Sequence, residues 1–202
     1  MPPPSQHRIV LASTSRYRRA VLDQLGLEHV AAAPDCEEDH SVGSCPADMV
    51  VILARAKAQS LAAQHPGDII IGCDQTAELD GEILKKPGTV ARAVEQLLAL
   101  SGRTHRLLSA VALHEPGGRT IHELIITHMT MRPLSRGLAL AYVERDRPLD
   151  CCGSYRVEAS GIALFEAMAG VDHSAIVGLP VTALGRLLAS VGEDLLARCL
   201  SC

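Results

Sequence analysis

Four stretches of the sequence concentrate side chains able to do chemistry. The first, Ser13-Thr14-Ser15-Arg16-Tyr17-Arg18-Arg19, crowds hydroxyls and guanidiniums into one turn. It follows an apolar run and opens a helical pattern, so free amides of a helix N-terminus would face whatever the turn holds. Arginine beside such a terminus pairs bidentately with phosphate oxygens. The same residues also read as a capped helix with a solvated basic face. No GxxxxGK[ST] loop and no GxGxxG is present, so neither the usual NTPase loop nor a dinucleotide fingerprint is supported. The second stretch is the acidic run around Glu37 and Glu38, which on composition alone reads as a solvated loop. The third is Asp74, closing I-I-I-G-C-D, where an acid after so apolar a strand is costly unless it is paired, metal-bound or at the mouth of a site. Two such acids facing one cleft could hold a divalent ion bridged to phosphates. The fourth comprises Lys57 and Lys85-Lys86-Pro87, point charges suited to phosphate or to ordinary solvated surface.

These residues need elements to position them. Arg8 to Ala12 is a short buried strand by its apolar run, and helical periodicity spans Arg16 to Leu25 with Gly26 as its stop. A short strand is expected at His29 to Ala33 and a long helix at Ala47 to Ala63, ended by Pro66-Gly67. Asp68 to Ala77 reads as a central strand, and Asp80-Gly81 as the turn of a hairpin. A helix from Thr89 to Leu100 has Thr89 as N-cap, and strands at Thr104 to Leu113 and Ile121 to Met131 flank Glu115-Pro116-Gly117-Gly118 as an antiparallel pair. Ser135 caps a helix reaching Glu144, and a closing helix starts at Pro180 and runs to Ser190. With no repeat or linker-like tract, residues 1–202 read as one α/β domain with a mixed sheet.

Composition limits the function classes. Three tyrosines (Tyr17, Tyr142, Tyr155), one phenylalanine (Phe165) and no tryptophan stand in 202 residues that are 48% hydrophobic, so the core is aliphatic. So few rings argue against a surface that stacks successive bases of a nucleic-acid strand. A net charge of −4 argues the same way. No apolar run is long enough for a membrane span, and Met1-Pro-Pro-Pro-Ser-Gln-His-Arg8 has no apolar signal core, so no leader is expected. Seven cysteines, an odd number, suit a reducing compartment, and cytoplasm is the expected location.

In order, the stretches L-A-S-T-S-R-Y-R-R-A-V-L-D-Q-L-G-L, D-C-E-E, A-K-A-Q-S-L-A, I-I-I-G-C-D-Q, L-D-G-E-I-L-K-K-P, L-S-G, G-S-Y-R-V-E and V-G-L-P-V resemble the Maf family of nucleoside-triphosphate pyrophosphatases. The resemblance covers nearly the whole chain. It implies an α/β fold with a central mixed sheet flanked by helices, two lobes around a deep cleft (ITPase-like), and a homodimer. It also implies cleavage between the α- and β-phosphates with a divalent metal (Mg²⁺, Mn²⁺ or Co²⁺), a nucleotide as partner, and a role in keeping modified nucleotides out of nucleic acid. Carried over residue by residue, Ser13 and Arg18 match the phosphate-binding turn, Glu38 the family's acid, Lys57 and Lys86 its two lysines, and Asp74 its proton acceptor. Glu38 and Asp74 would anchor the metal.

The resemblance reaches a subgroup. Members that cleave 7-methyl-GTP carry an aromatic residue, Gln and Glu where this chain has Tyr17, Gln75 and Glu158; the dTTP/UTP subgroup has Arg, Thr and Gln there. A methylated guanine is cationic, so a tyrosine face attracts it by about 0.5–2 kcal/mol, and a carboxylate accepts from the guanine N1–H and amine. Two alternatives stand: a dTTP/UTP pyrophosphatase, or a nucleotide-binding regulator of septum formation, since the family is associated with division arrest. The chain departs from the family at Arg16, where Pro is usual, at Cys73, where Ser is usual, and at Ser109-Ala110, where Thr-Gly is usual. Cys151-Cys152 and Cys199-x-x-Cys202 lack a second pair for zinc. Cys73 is expected to be a buried thiol, and His105, His114, His122 and His128 to be surface or satisfied core groups.

Overall fold

The computed structural model describes residues 7–201; the leader reading of the first residues and Cys202 of the C-x-x-C lie outside them. Seven strands form one mixed sheet. They are β1 (Ile9–Ala12), β2 (Val30–Ala32), β3 (Ile69–Leu79), β4 (Glu82–Leu84), β5 (Thr104–His114), β6 (Thr120–Met131) and β7 (Phe165–Ala169). The order is β2-β1-β3-β5-β6-β7, with β4 paired to β3; β1 runs parallel to β2 and β3, and every other pairing is antiparallel. Helices α1 (Arg16–Gln24), α2 (Pro46–Ser60), α3 (Val90–Leu100), α4 (Arg136–Asp146), α5 (Val181–Ser190) and α6 (Leu195–Cys199) flank it.

The centre of the molecule is β3, whose partners change along its length. On one edge its first half pairs with β1, from Ile9↔Ile69 to Ala12↔Gly72, while its last residues pair with β4, from Ala77↔Leu84 to Leu79↔Glu82. Residues 73–76 therefore have no strand on that edge among the described residues. On the other edge β5 pairs with the whole of Ile70 to Glu78. Ligands in α/β proteins gather where a sheet splits in this way, beyond the carboxyl end of a strand. Here the gap is flanked by the end of β1 and holds Asp74 and Gln75.

Alternation along β3 sends its two kinds of polar residue to opposite faces. On one face Ile70 packs with Val10, Ala12, Leu108, Ala110 and Ala112 beneath Met49, Val50, Leu53, Ala54 and Ala58 of α2. Gly72 is required there, because a Cβ would collide with the Ala54 carbonyl oxygen and the Ala58 nitrogen. That close approach sets Lys57 of α2 over Asp74. On the other face lie two separate aliphatic clusters. One joins Ile69, Ile71, Cys73, Val111 and Leu113 to Leu22 of α1 and to Leu184 and Leu188 of α5. The other joins Ala77, Leu79, Leu107, Met129 and Met131 to α3, α4, Tyr142 and Tyr155. These are the cores of two lobes. Each fully buried aliphatic side chain contributes about 1.5–3 kcal/mol. Between them Gln75 and Ser109, opposite each other in register, cross the sheet as a polar belt.

The elements agree with the sequence reading in type and order, with most bounds shifted by one to three residues. α2 is Pro46–Ser60, beginning with its proline and ending before Leu61. Pro180 is the residue before α5 rather than its first turn. β7 and α6 were not expected, and α6 gives Cys199 a helical place. Among the described residues no helix is long and apolar enough to cross a membrane.

Candidate functional site

The cleft between the lobes has a volume of about 720 Å³, and its lining includes all nine residues singled out from the sequence: Ser13, Tyr17, Arg18, Glu38, Lys57, Asp74, Gln75, Lys86 and Glu158. They come from six regions of the chain, so the convergence is a tertiary result.

The turn from Ser13 to Arg18 is built by capping. Ser15 is the N-cap of α1 and accepts from the Arg18 amide, while buried Ser13 accepts from the Ser15 amide at 3.1 Å. Arg18 reaches back along this turn. Its Nε donates to the Gly178 carbonyl at 2.9 Å and one terminal nitrogen donates to Ser13 Oγ at 3.4 Å. The guanidinium thus ties α1 to the 3₁₀ turn His173–Val177 and stays at the cleft wall.

Lys57 is 4% exposed and Asp74 5% exposed. The ammonium Nζ lies 2.7 Å from Asp74 Oδ1 and 2.6 Å from Glu38 Oε1. A buried ammonium needs such partners. Glu38 stays half exposed on its loop, but its carboxylate is tied to the buried lysine. The hydrogen bond from Lys57 holds its carboxyl below the usual range, against the opposing effect of burial. Lys86 is exposed at the cleft lining, and its charge also acts on Glu38.

The other wall carries Tyr17, Asp150 and Glu158. The Arg16 guanidinium lies 4.8 Å from the Tyr17 ring centroid, donates to the Tyr17 hydroxyl at 2.7 Å, and stands 3.7 Å from Asp150 Oδ2. Burial raises the Tyr17 hydroxyl, with hydrogen bonds to Arg16 and Arg156 working against it. Gln75 donates through Nε2 to Ser109 Oγ, to the Ala175 carbonyl and to the Ile176 carbonyl.

Several neighbours were not singled out. Arg16 was noted only within the first stretch and as a departure, with no role of its own, and Asp150 not at all; the one signal for Asp150 was an acid just ahead of the G-S-Y-R-V-E segment. Cys151 and Cys152 line the cleft as protonated thiols. Burial, with Asp150 second, pushes Cys151 up to about 12, and burial raises Cys152. Cys73 is buried and pushed by burial up to about 11, as expected of an inert core thiol. Tyr155 borders the cleft but is 5% exposed, packed edge-on against Phe165 and hydrogen-bonded to His105, so its place is in the core. His105 is only half satisfied: Nε2 meets the Tyr155 hydroxyl at 2.8 Å, and Nδ1 is buried without a partner. His122 and His128 are exposed, and half-buried His114 bonds Thr120.

The family model described as Maf-like protein matches residues 8–191. The chain belongs to the Maf family. Curated Maf relatives include a 7-methyl-GTP pyrophosphatase of Xanthomonas oryzae, 44% identical over 93% of this chain and 98% of that protein. Another, of Bordetella avium and with the same name, is 43% identical over 93% of this chain and 94% of its own. A solved structure of a nucleoside-triphosphatase / dITP/XTP pyrophosphatase from Mycobacterium abscessus is 23% identical, covering 61% of this chain and 74% of that one, with a TM-score of 0.44.

The Maf resemblance implies a divalent cation, and the donor chemistry suits one. No group of three or more His, Cys, Asp or Glu side chains that could hold a metal occurs among the described residues. Mg²⁺, however, is bound through one or two carboxylates completed by water and substrate phosphates, not by an all-protein cage. Glu38 and Asp74 supply two carboxylates on the shared lysine, with Lys57 engaging one oxygen of each.

Proposed function

We propose that this Maf protein is a nucleoside triphosphate pyrophosphatase that converts 7-methyl-GTP to 7-methyl-GMP and pyrophosphate. The observation that carries the reading is that one cleft is lined by the Lys57-bridged acids, the Arg18 turn, Tyr17, Gln75 and Glu158 together. The names of relatives more than 40% identical support the same substrate.

In this reading Arg18, Lys57 and Lys86 bind the triphosphate and stabilise the charge that grows on the departing pyrophosphate. Water attacks the α-phosphorus, the bond from that phosphorus to the bridging oxygen breaks, and Asp74 takes the water's proton. Lys57 orients Asp74 for this transfer through its 2.7 Å contact. Glu38 and Asp74 would hold a divalent cation, which when bound adds Lewis-acid stabilisation of phosphate charge. Tyr17 takes the cationic base on its ring, and Glu158 accepts from its N1–H and amine. Cys36, Cys45, Cys73, Cys151 and Cys152 are free thiols, which supports a cytoplasmic setting. The resemblance extends to a homodimer, which light scattering of the purified chain would read.

The test is pyrophosphate release from 7-methyl-GTP, GTP, dTTP and UTP with Mg²⁺, Mn²⁺ or Co²⁺, alongside Asp74→Asn. The expected result is highest kcat/KM for 7-methyl-GTP, lost by at least about a hundredfold in Asp74→Asn. Faster cleavage of dTTP or UTP would sink the substrate reading.

A further inference from the structure

Gln75 stands at the middle of the polar belt that separates the two lobe cores. Its Nε2 lies 2.9 Å from Ser109 Oγ, 2.7 Å from the Ala175 carbonyl oxygen and 3.2 Å from the Ile176 carbonyl oxygen. Carbonyl oxygens only accept, so the amide end facing two of them must be the nitrogen. Ser109 removes the remaining freedom. Its hydroxyl donates to the Ala175 carbonyl at 2.8 Å, which leaves it lone pairs, and no hydrogen, for Gln75. At 1% exposure it has no water to turn to. Flipping the Gln75 amide would set a carbonyl oxygen against two others and a hydroxyl whose hydrogen is already used.

The opposite end of the amide is thereby fixed as well. Oε1 points toward Gly178 and Arg18: a Cβ on Gly178 would lie 3.4 Å from Oε1 and 3.5 Å from Arg18 Nε. Both residues line the cleft. Among the described residues no donor is bonded to Oε1, since the three contacts of this amide all run through Nε2.

We propose that Ser109 is a positioning residue for base selection: it locks the Gln75 amide so that the cleft wall presents a hydrogen-bond acceptor to the base. This rests on reading the cleft as a nucleotide site. Gln75 Oε1 and the Glu158 carboxylate are then two acceptors, and they favour a base edge carrying adjacent donors. The N1–H and amino group of guanine supply that edge. Uracil and thymine offer one N–H between two carbonyls, so a second acceptor in the wall repels them. An amide held less firmly would present that acceptor less often, and selectivity would fall. The hydroxyl matters more than the particular residue, so threonine should serve in its place.

The experiment compares the full chain with Ser109→Ala and Ser109→Thr, each checked by thermal melting. In the first arm, pyrophosphate release is followed with 7-methyl-GTP and UTP. Ser109→Ala is expected to raise the 7-methyl-GTP KM about three- to tenfold, with kcat changed by about twofold or less, and to narrow the preference over UTP. Ser109→Thr should restore the KM. In the second arm, without nucleotide, hydrogen exchange of the Gln75 side-chain amide is read by NMR, its signal assigned by its loss in Gln75→Glu. Exchange should be at least about tenfold faster in Ser109→Ala. Unchanged exchange overturns the proposal whatever the substrate. A loss of kcat at constant KM, or failure of threonine to rescue a folded variant, also overturns it. Faster exchange in a protein that ignores 7-methyl-GTP supports the lock and sinks only the substrate reading.

Discussion

A buried ammonium held by two carboxylates makes Lys57 the pivot of the site. Taking the Lys57 ammonium and the Asp74 carboxylate out of water is costly, and the 2.7 Å contact between them, with half-exposed Glu38 at 2.6 Å, offsets that cost only while the partners remain. The same economy of charge explains Arg16. Its guanidinium sits over the Tyr17 ring at 4.8 Å, on the aromatic surface that a cationic base would use, and Asp150 holds it there. If Tyr17 takes the base as proposed, Arg16 competes with it for the ring. The contact is at an exposed site, where a cation on a ring contributes about 0.5–1 kcal/mol. Arg16→Ala should accordingly lower the KM for 7-methyl-GTP about two- to fivefold, while Tyr17→Ala raises it. Steady-state kinetics with methylated and unmethylated GTP decides the matter. An unchanged KM in Arg16→Ala would mean that the base does not use that face, and a raised KM would make Arg16 a substrate contact.

Among the elements, the 3₁₀ turn His173–Val177 does the positioning, because its carbonyls hold Gln75 and the residue that follows it, Gly178, holds Arg18. That turn is itself hung on Asp172. The Asp172 carboxylate accepts from the amide and hydroxyl of Ser174, the amide and hydroxyl of Thr182 and the amide of Ala183, so it caps the turn and the start of α5 together. Burial would raise this carboxyl, but those hydrogen bonds outweigh it and hold it below the usual range. Asp172→Ala leaves five donors without their acceptor and should cost about 3 kcal/mol by urea unfolding. It should also weaken base selectivity in the fraction that remains folded; a loss under about 1 kcal/mol would show that the cap is dispensable. Little of this was legible beforehand. The central strand, the capped helices and the charged residues of the cleft could be read because each carries a local signal: the β-branched I-I-I run, Ser15 and Thr89 as caps, and an acid after an apolar strand. β7 has no such signal, since in F-E-A-M-A only the sheet-edge pairing with β6 makes a strand. Asp150, the Arg16 stacking and the Ser109 lock were hidden for a different reason. Each arises from register or lobe packing between segments distant in sequence, as with Gln75 and Ser109 on paired strands.

At the scale of the whole molecule, the two lobes differ in how they tolerate acid. The lobe built on α3 and α4 contains three of the four aromatic rings, and His105 is buried among two of them, 5.5 Å from Tyr155 and 6.0 Å from Phe165 between ring centroids. Desolvation pushes this imidazole down from 6.5 to about 4, and the charge of nearby Glu78 recovers only part of the shift. Between those two values the unfolded chain binds more protons than the folded one, so stability rises with pH across that window. The contribution is complete above pH 6.5 and is lost as pH falls from 6.5 toward 4, amounting to about 3 kcal/mol. Tyr155 and Glu158 both line the cleft, so loosening this lobe also disturbs the cleft wall. His105→Gln keeps a side chain able to bond the Tyr155 hydroxyl but cannot gain a charge in this range. Urea unfolding at pH 7 and pH 4 should therefore show wild type losing about 3 kcal/mol more than His105→Gln between the two conditions. Carboxylates elsewhere titrate alike in both proteins, so they cancel in the difference. Equal losses would mean that the acid sensitivity of the fold does not reside in this imidazole.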